Sequence, residues 1–443
     1  YDQKEAAWDL VEAECLKSGK GGAIYNTGSS TGTVEKGTQF IGNAASNAGG
    51  AIYNDATSST FTVESGALFE GNTAILGGAI YNAKSSELIV DGATFKGNIA
   101  KGTEGNDGGA IYNKGTATIT DSSFVNNKAE ALGEELGAGG AIDNDGGTVN
   151  IVAKTKDVEF TGNTAGGVSD AIHNDGIVNF DTYGSNKVIV NDAITGDAVA
   201  SILNVKGDVS FNNNVSGNNL TVKNGTLDFG DKGKFNDVKR DVTFNDGATL
   251  DLANGKISEA IVANEVSVAS GTANLNLDVD LANKKADTIS AVNSSGTFNI
   301  KDLYMMSDAT ETTTTVNVVN GLKVGDTAAT DPAVKFTFTN ADVYTNNYKY
   351  TVTDATKGAL RFTRGSEKPI DGLAAALTGT ESGTESLFNL IGNYTGTTDA
   401  AAKLAGDLTI LGNGTAANAY SISADAKKTS GLVNVAGTGT LSI

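Results

Sequence analysis

Carboxylates are the chemistry this sequence offers most freely, with Asp107, Asp121, Asp143, Asp157 and Asp170 crowded into one region. Glycoside hydrolysis needs two carboxylates across a sugar bond, about 5–9.5 Å apart. Acids this abundant supply a close pair by chance, so the accompaniment decides. A lyase would want a basic residue as general base and a carboxylate cluster for calcium. The three arginines, Arg240, Arg361 and Arg364, all lie outside the regular region 20–180. His173 is the one histidine; no Ser-His-Asp arrangement can be read from it, and its position reads as an exposed, idle imidazole. Asp143-Asn144-Asp145 and Asn106-Asp107 carry the oxygens calcium takes. With no EF-hand loop and no Gly-Gly-x-Gly-x-Asp series, they read as solvated corner residues. Gly437-Thr438-Gly439 has no helix after it, so a nucleotide site fails. Cys15, the single cysteine, excludes an internal disulfide framework and a cysteine metal knuckle. The expectation is a protein that is not an enzyme, with no cofactor and no metal. The rival is a carbohydrate-active β-helix enzyme, a polysaccharide lyase or glycoside hydrolase.

The elements that would position such groups come from a repeat. Gly21-Gly22-Ala23-Ile24-Tyr25-Asn26 recurs at 49–54, 77–82 and 108–113. It decays to Gly139-Gly140-Ala141-Ile142-Asp143-Asn144 and then to Ser169-Asp170-Ala171-Ile172-His173-Asn174. The alanines fall at 23, 51, 79, 110, 141 and 171, steps of 28, 28, 31, 31 and 30 residues. Between copies lies Phe-x-x-Asn, at Phe40–Asn43, Phe69–Asn72, Phe95–Asn98, Phe124–Asn127 and Phe160–Asn163. A Thr/Val/Ile alternation such as Thr60-Phe61-Thr62-Val63 separates the two phrases. Three short β-type runs in about 30 residues, repeated in register, predict one coil of a parallel β-solenoid.

Comparing copies separates inside from outside. The Ile is constant, which suits a core slot, and strand side chains alternate faces, so Ile and Asn share the interior. The six asparagines (26, 54, 82, 113, 144, 174) then stack as an amide ladder. The slot between holds Tyr25, Tyr53, Tyr81 and Tyr112, then Asp143 and His173. A slot so tolerant reads as exposed. The four tyrosines become a candidate contact strip, an outward aromatic column with a polar rim.

With 32 basic and 52 acidic residues the net charge is −20. Such a surface disfavours nucleic acid and anionic membranes. No stretch approaches 18 apolar residues, so no direct membrane insertion by this segment is expected.

The Gly-Gly-Ala-Ile and Phe-x-x-Asn phrases over 20–180 resemble the repeats of polymorphic outer-membrane proteins and related adhesins. Farther on, Ala273-Asn274-Leu275-Asn276-Leu277-Asp278-Val279-Asp280 followed by Ala286-Asp287-Thr288-Ile289 resembles the distal passenger of bacterial autotransporters, loosely over 200–443. The resemblance implies an all-β, right-handed parallel β-helix of the pectin-lyase-like kind. It also implies display at a bacterial cell surface or in the extracellular space. On it rests the expectation of a structural or adhesive rod that self-associates or meets a glycan or protein of a host or neighbouring cell. No membrane barrel is read in these residues.

Five regions are expected: a helical N-terminal cap (1–19), a regular β-helix (20–180), a less regular one (181–300), irregular coils with hairpin or helix insertions (301–404), and resumed β-helix (405–443). A short helix is expected over Ile370–Leu377. The inserts Gly102–Asp107 and Ala129–Ala138 are expected to bulge from one corner and carry any specificity. Tyr1 at the start and strand pattern to the last residue read as a piece of a longer precursor.

Overall fold

The computed structural model describes residues 19–365, apart from 103–104, 106, 131–136, 231, 324–328 and 346. Beyond them it describes the strands Glu385–Leu390, Tyr394–Gly396, Ala402–Leu404, Asp407–Gly412, Ile422–Ala424, Val433–Val435 and Leu441–Ser442. The cap expected over 1–19, save Gly19, and the helix expected over 370–377 lie outside the described residues. The chain divides into two units, Tyr1–Thr243 and Phe244–Ile443. It is an all-β parallel β-solenoid, with no helix among the described residues.

In the first unit three columns of strands stack in parallel register, and two of them repeat one residue type. Ile24, Ile52, Ile80, Ile111, Ile142, Ile172 and Ile194 are consecutive partners. Phe40, Phe69, Phe95, Phe124 and Phe160 form another such line. Their rings stack at 4.6–4.8 Å and within 8° of parallel. The spacing is that of neighbouring strands, so a repeated aromatic at one register position must lie ring on ring. The middle column runs through Phe61, Leu88, Ala117, Val149, Val178, Leu203 and Leu220.

A fourth short strand, beyond the three expected, follows Phe-x-x-Asn in several coils. It stacks Ala74, Ala100, Ala129 and Ala165 in register, all at most 4% exposed. The second insert therefore begins as strand, within Lys128–Glu130. The paired glycines belong to the tight corner that follows. Gly77 has φ +64°, and a Cβ on Gly78 would sit 2.2 Å from the Gly109 carbonyl oxygen. One glycine is set by backbone handedness and the other by coil-to-coil approach.

The second unit carries parallel coils of its own. Thr249–Asp251 pairs with Ala273–Asp280, which pairs with Thr288–Ser307. The latter continues to Val319–Gly321 and Ala333–Phe338. Antiparallel strands then appear: Asp342–Thr345 with Lys349–Asp354, and Lys349–Asp354 with Ala359–Arg364. Parallel pairing returns between Glu385–Leu390 and Asp407–Gly412.

Candidate functional site

The tyrosine column forms as the register demands, on the face opposite Ile and Asn. Ring centroids are 5.3 Å apart for Tyr25–Tyr53, 4.6 Å for Tyr53–Tyr81 and 5.3 Å for Tyr81–Tyr112. Its exposure differs from the expectation. Tyr25 is 44% exposed, but Tyr53 and Tyr112 only 6%. Tyr81 is stacked between Tyr53 and Tyr112, while Tyr53 stacks on Tyr81, has Tyr25 tilted by 60° to it and carries Lys20 Nζ 4.6 Å over its ring. The Tyr112 hydroxyl donates to Asp145 Oδ2 at 2.5 Å. Burial and neighbouring groups push the Tyr81 phenol up to about 12. Tyr112 is raised too, by burial and then by Asp145.

The next two occupants of that slot are also covered, contrary to the sequence reading. Asp143 is 4% exposed, and burial first, then Asp107, Asp145, Asp175 and Asp170, raise its carboxyl well above the ordinary value. The His173 side chain is 14% exposed. It is neither exposed nor idle: Nδ1 lies 2.9 Å from Thr195 Oγ1, and Nε2 lies 3.6 Å from Asp175 and 3.9 Å from Asp197.

Hydroxyl, imidazole and carboxylate in a row look like a nucleophile and its base. The hydrogen-bond sense runs the other way. The Thr195 hydroxyl donates to Asp170 Oδ1 at 3.1 Å. A hydroxyl has one proton, so the imidazole donates to Thr195 instead of accepting from it, and no nucleophile is activated.

The remaining acids act as clamps on the backbone of a neighbouring coil. Asp107 Oδ1 accepts from Ala138 N at 3.0 Å, and Asp157 Oδ1 from Lys187 N at 2.7 Å. Asp170 Oδ2 accepts from Gly139 N at 3.0 Å. Asp121 gathers the amides of Lys154 and Thr155 and the Thr155 hydroxyl. Asp145 pairs with Lys114, and Asn144 is a ladder rung, so the 143–145 corner is not simply solvated. Among the described residues no three His, Cys, Asp or Glu side chains are grouped to hold a metal ion. An open recess of about 580 Å³ at the first described coil is lined by Val34, Phe40 and Ile41, with Glu35 as its carboxylate.

Two amide ladders hold the corners. The expected one runs Asn26, Asn54, Asn82, Asn113, Asn144, Asn174, each Nδ2 donating to the next Oδ1 at 2.7–2.8 Å. It then reaches Asn218 at 2.8 Å, past the side-chain-free Gly196. The second, which sequence reasoning missed, joins Asn43, Asn72, Asn98, Asn127 and Asn163 at 2.8–3.0 Å and ends on Asp192. Its signal was present in the invariant Asn of Phe-x-x-Asn.

The stretches 37–55, 66–83 and 92–114 match the Chlamydia polymorphic membrane protein repeat. Each contains one Phe-x-x-Asn corner and one Gly-Gly-Ala-Ile-Tyr-Asn strand, hence one rung of each ladder and of each aromatic stack. Those three stretches are similar to polymorphic membrane protein repeats. The matched repeats and the β-solenoid together fit a polymorphic outer-membrane, autotransporter-passenger-like protein. Comparison with curated proteins gives no match.

In this repeat array the buried acids carry a pH signature. Burial raises Asp170 from 3.8 to about 6, against the opposing Gly139 amide, His173 and Thr195. The native state then holds a proton that the unfolded chain has released. Stability contributed by Asp170 therefore falls as pH rises from about 4 to about 6. Asp170→Asn should flatten that part of the melting-temperature profile. Identical slopes for both proteins across the window would refute the assignment.

Proposed function

We propose that this chain is a non-enzymatic passenger displayed at the bacterial surface, and that it mediates adhesion or self-association. The observation that carries the reading is the use of the side chains. In the repeat block Ile, Phe and Asn are consumed by stacking, and the carboxylates of Asp107, Asp121, Asp157 and Asp170 by clamping backbone. What repeats toward the outside is the tyrosine column, open to solvent at Tyr25 and partly open at Tyr81.

The contact strip of Tyr25, Tyr53, Tyr81 and Tyr112 then works chiefly through Tyr25 and the Tyr81 edge, with Tyr53 and Tyr112 as backing. Its partner is a second copy or a glycan or protein of a host or neighbouring cell. Aromatic faces with a polar rim suit either. Tyr25→Ser with Tyr81→Ser should lower cell adhesion, or raise the concentration needed for self-association, by severalfold while the β-type circular dichroism persists. Unchanged adhesion and unchanged sedimentation in the folded double variant would leave the column as packing alone.

A further inference from the structure

We propose that Asn254–Gly255 is a self-modification site, at which the buried carboxylate of Asp278 promotes cyclisation of the asparagine to a succinimide. The loop lies within the second unit and is exposed at Asn254, Gly255 and Lys256. Three consecutive amides of that loop converge on one oxygen. Asn254 N, Gly255 N and Lys256 N donate to Asp278 Oδ2 at 2.9, 2.6 and 3.1 Å. The shortest of the three comes from the nitrogen that must lose its proton for the reaction to begin. Asn254 Oδ1 meanwhile accepts from Lys256 N at 3.0 Å, a donor placed where negative charge would develop. Asp278 is 0% exposed, and its second oxygen, Oδ1, has no partner among the described groups. Burial raises this carboxyl above the ordinary range, against the pull of the loop amides, which makes it the stronger base.

The step balances without any added oxidant or reductant. The Gly255 nitrogen passes its proton to Asp278 and its electron pair forms a bond to Asn254 Cγ. The oxyanion on the former Oδ1 is held by the Lys256 amide. When it collapses, the bond from Cγ to the amide nitrogen breaks. The proton held by Asp278 goes to the departing group, which leaves as ammonia. One water then opens the ring at either carbonyl, giving aspartate or isoaspartate at 254. The ring atoms already belong to one chain segment, so little translational freedom is lost. A Cβ at Gly255 would meet nothing within 4 Å, so the space beside the Gly255 Cα is open. The product adds a carboxylate against Asp278, and like charges there loosen the loop's hold on it.

Two other Asn–Gly pairs in the described chain serve as internal references. At Asn224–Gly225 the carboxylate of Asp208 takes the amide of Thr226. Gly321, after Asn320, lies in a strand paired with Ala291. The test incubates the folded protein in mildly alkaline buffer and follows all three peptides by mass spectrometry and by enzymatic methylation of isoaspartate. Asn254 should convert at least about tenfold faster than Asn224 and Asn320. In denaturant, where Asp278 is no longer held against the loop, that advantage should vanish. Asp278→Asn, checked for folding by circular dichroism, should lose it too. Equal rates at the three sites in the folded protein, or an Asn254 advantage that survives denaturation, would overturn the proposal.

Discussion

Ile80→Asp should cost about 4 kcal/mol or more and broaden or abolish the cooperative melt of the first unit. Ile80 is 0% exposed, lies in register with Ile52 and Ile111, and has apolar side chains above and below it. A carboxylate there would have to ionise without a partner or hold its proton in an apolar column. Each coil is also the template for its neighbours, so the damage passes along the stack. Tyr81→Asp, one residue on, should cost about 2 kcal/mol. It removes two ring contacts, at 4.6 and 5.3 Å, each worth about 0.5–1.5 kcal/mol. It also sets a new acid near Asp55 and Asp145, whose charges already act on the Tyr81 phenol. Thermal melts of the two variants rank the slots. Equal losses would mean that the two faces of this strand are equally buried in energetic terms.

Those two neighbouring slots show what sequence could and could not read. Constancy of Ile across six copies marks a core position because an apolar slot has few solutions, and the structure buries that column. Constancy of Asn marks the ladder for the same reason. An amide donates from one atom and accepts at another, so the same residue can repeat rung on rung. The Tyr, Asp, His slot misled because its tolerance has another cause. Burial there is solved differently each time: by ring on ring for tyrosine, by a raised carboxyl for Asp143, and by Thr195 and Asp175 for His173. Tolerance of type is evidence of exposure only where each residue could be satisfied by water alone. The acid clamps were illegible for a further reason. Asp107, Asp157 and Asp170 each meet a backbone amide of a neighbouring coil some 30 residues away. Backbone amides leave no mark in the sequence.

The second ladder makes the sharpest statement about residue identity, because it contains both an amide interior and a carboxylate end. Asn98 Oδ1 accepts from Asn72 N and Nδ2, at 3.1 and 2.9 Å. Its Nδ2 donates to the Phe69 carbonyl and to Asn127 Oδ1, both at 2.9 Å. Asn98→Asp keeps the acceptor and turns the donor into a second acceptor facing two oxygens at full burial. One proton can repair one of those contacts, so the new carboxyl should have a raised value. The loss should be about 3 kcal/mol or more near neutral pH. It should shrink as pH falls through that raised value, since the protonated form is the one the folded state tolerates. Asp192 sits where the ladder stops, and there the carboxylate fits. Its oxygens accept from Gly162 N, Asn163 N and Asn163 Nδ2 at 3.0, 2.8 and 2.9 Å. Asp192→Asn turns one of those acceptors into a donor aimed at a donor. That should cost about 1–2 kcal/mol. Denaturant melts of both proteins at acid and neutral pH measure the difference directly. If Asn98→Asp is no more costly than Asp192→Asn at neutral pH, the direction of the ladder does not decide which rung is an amide and which a carboxylate.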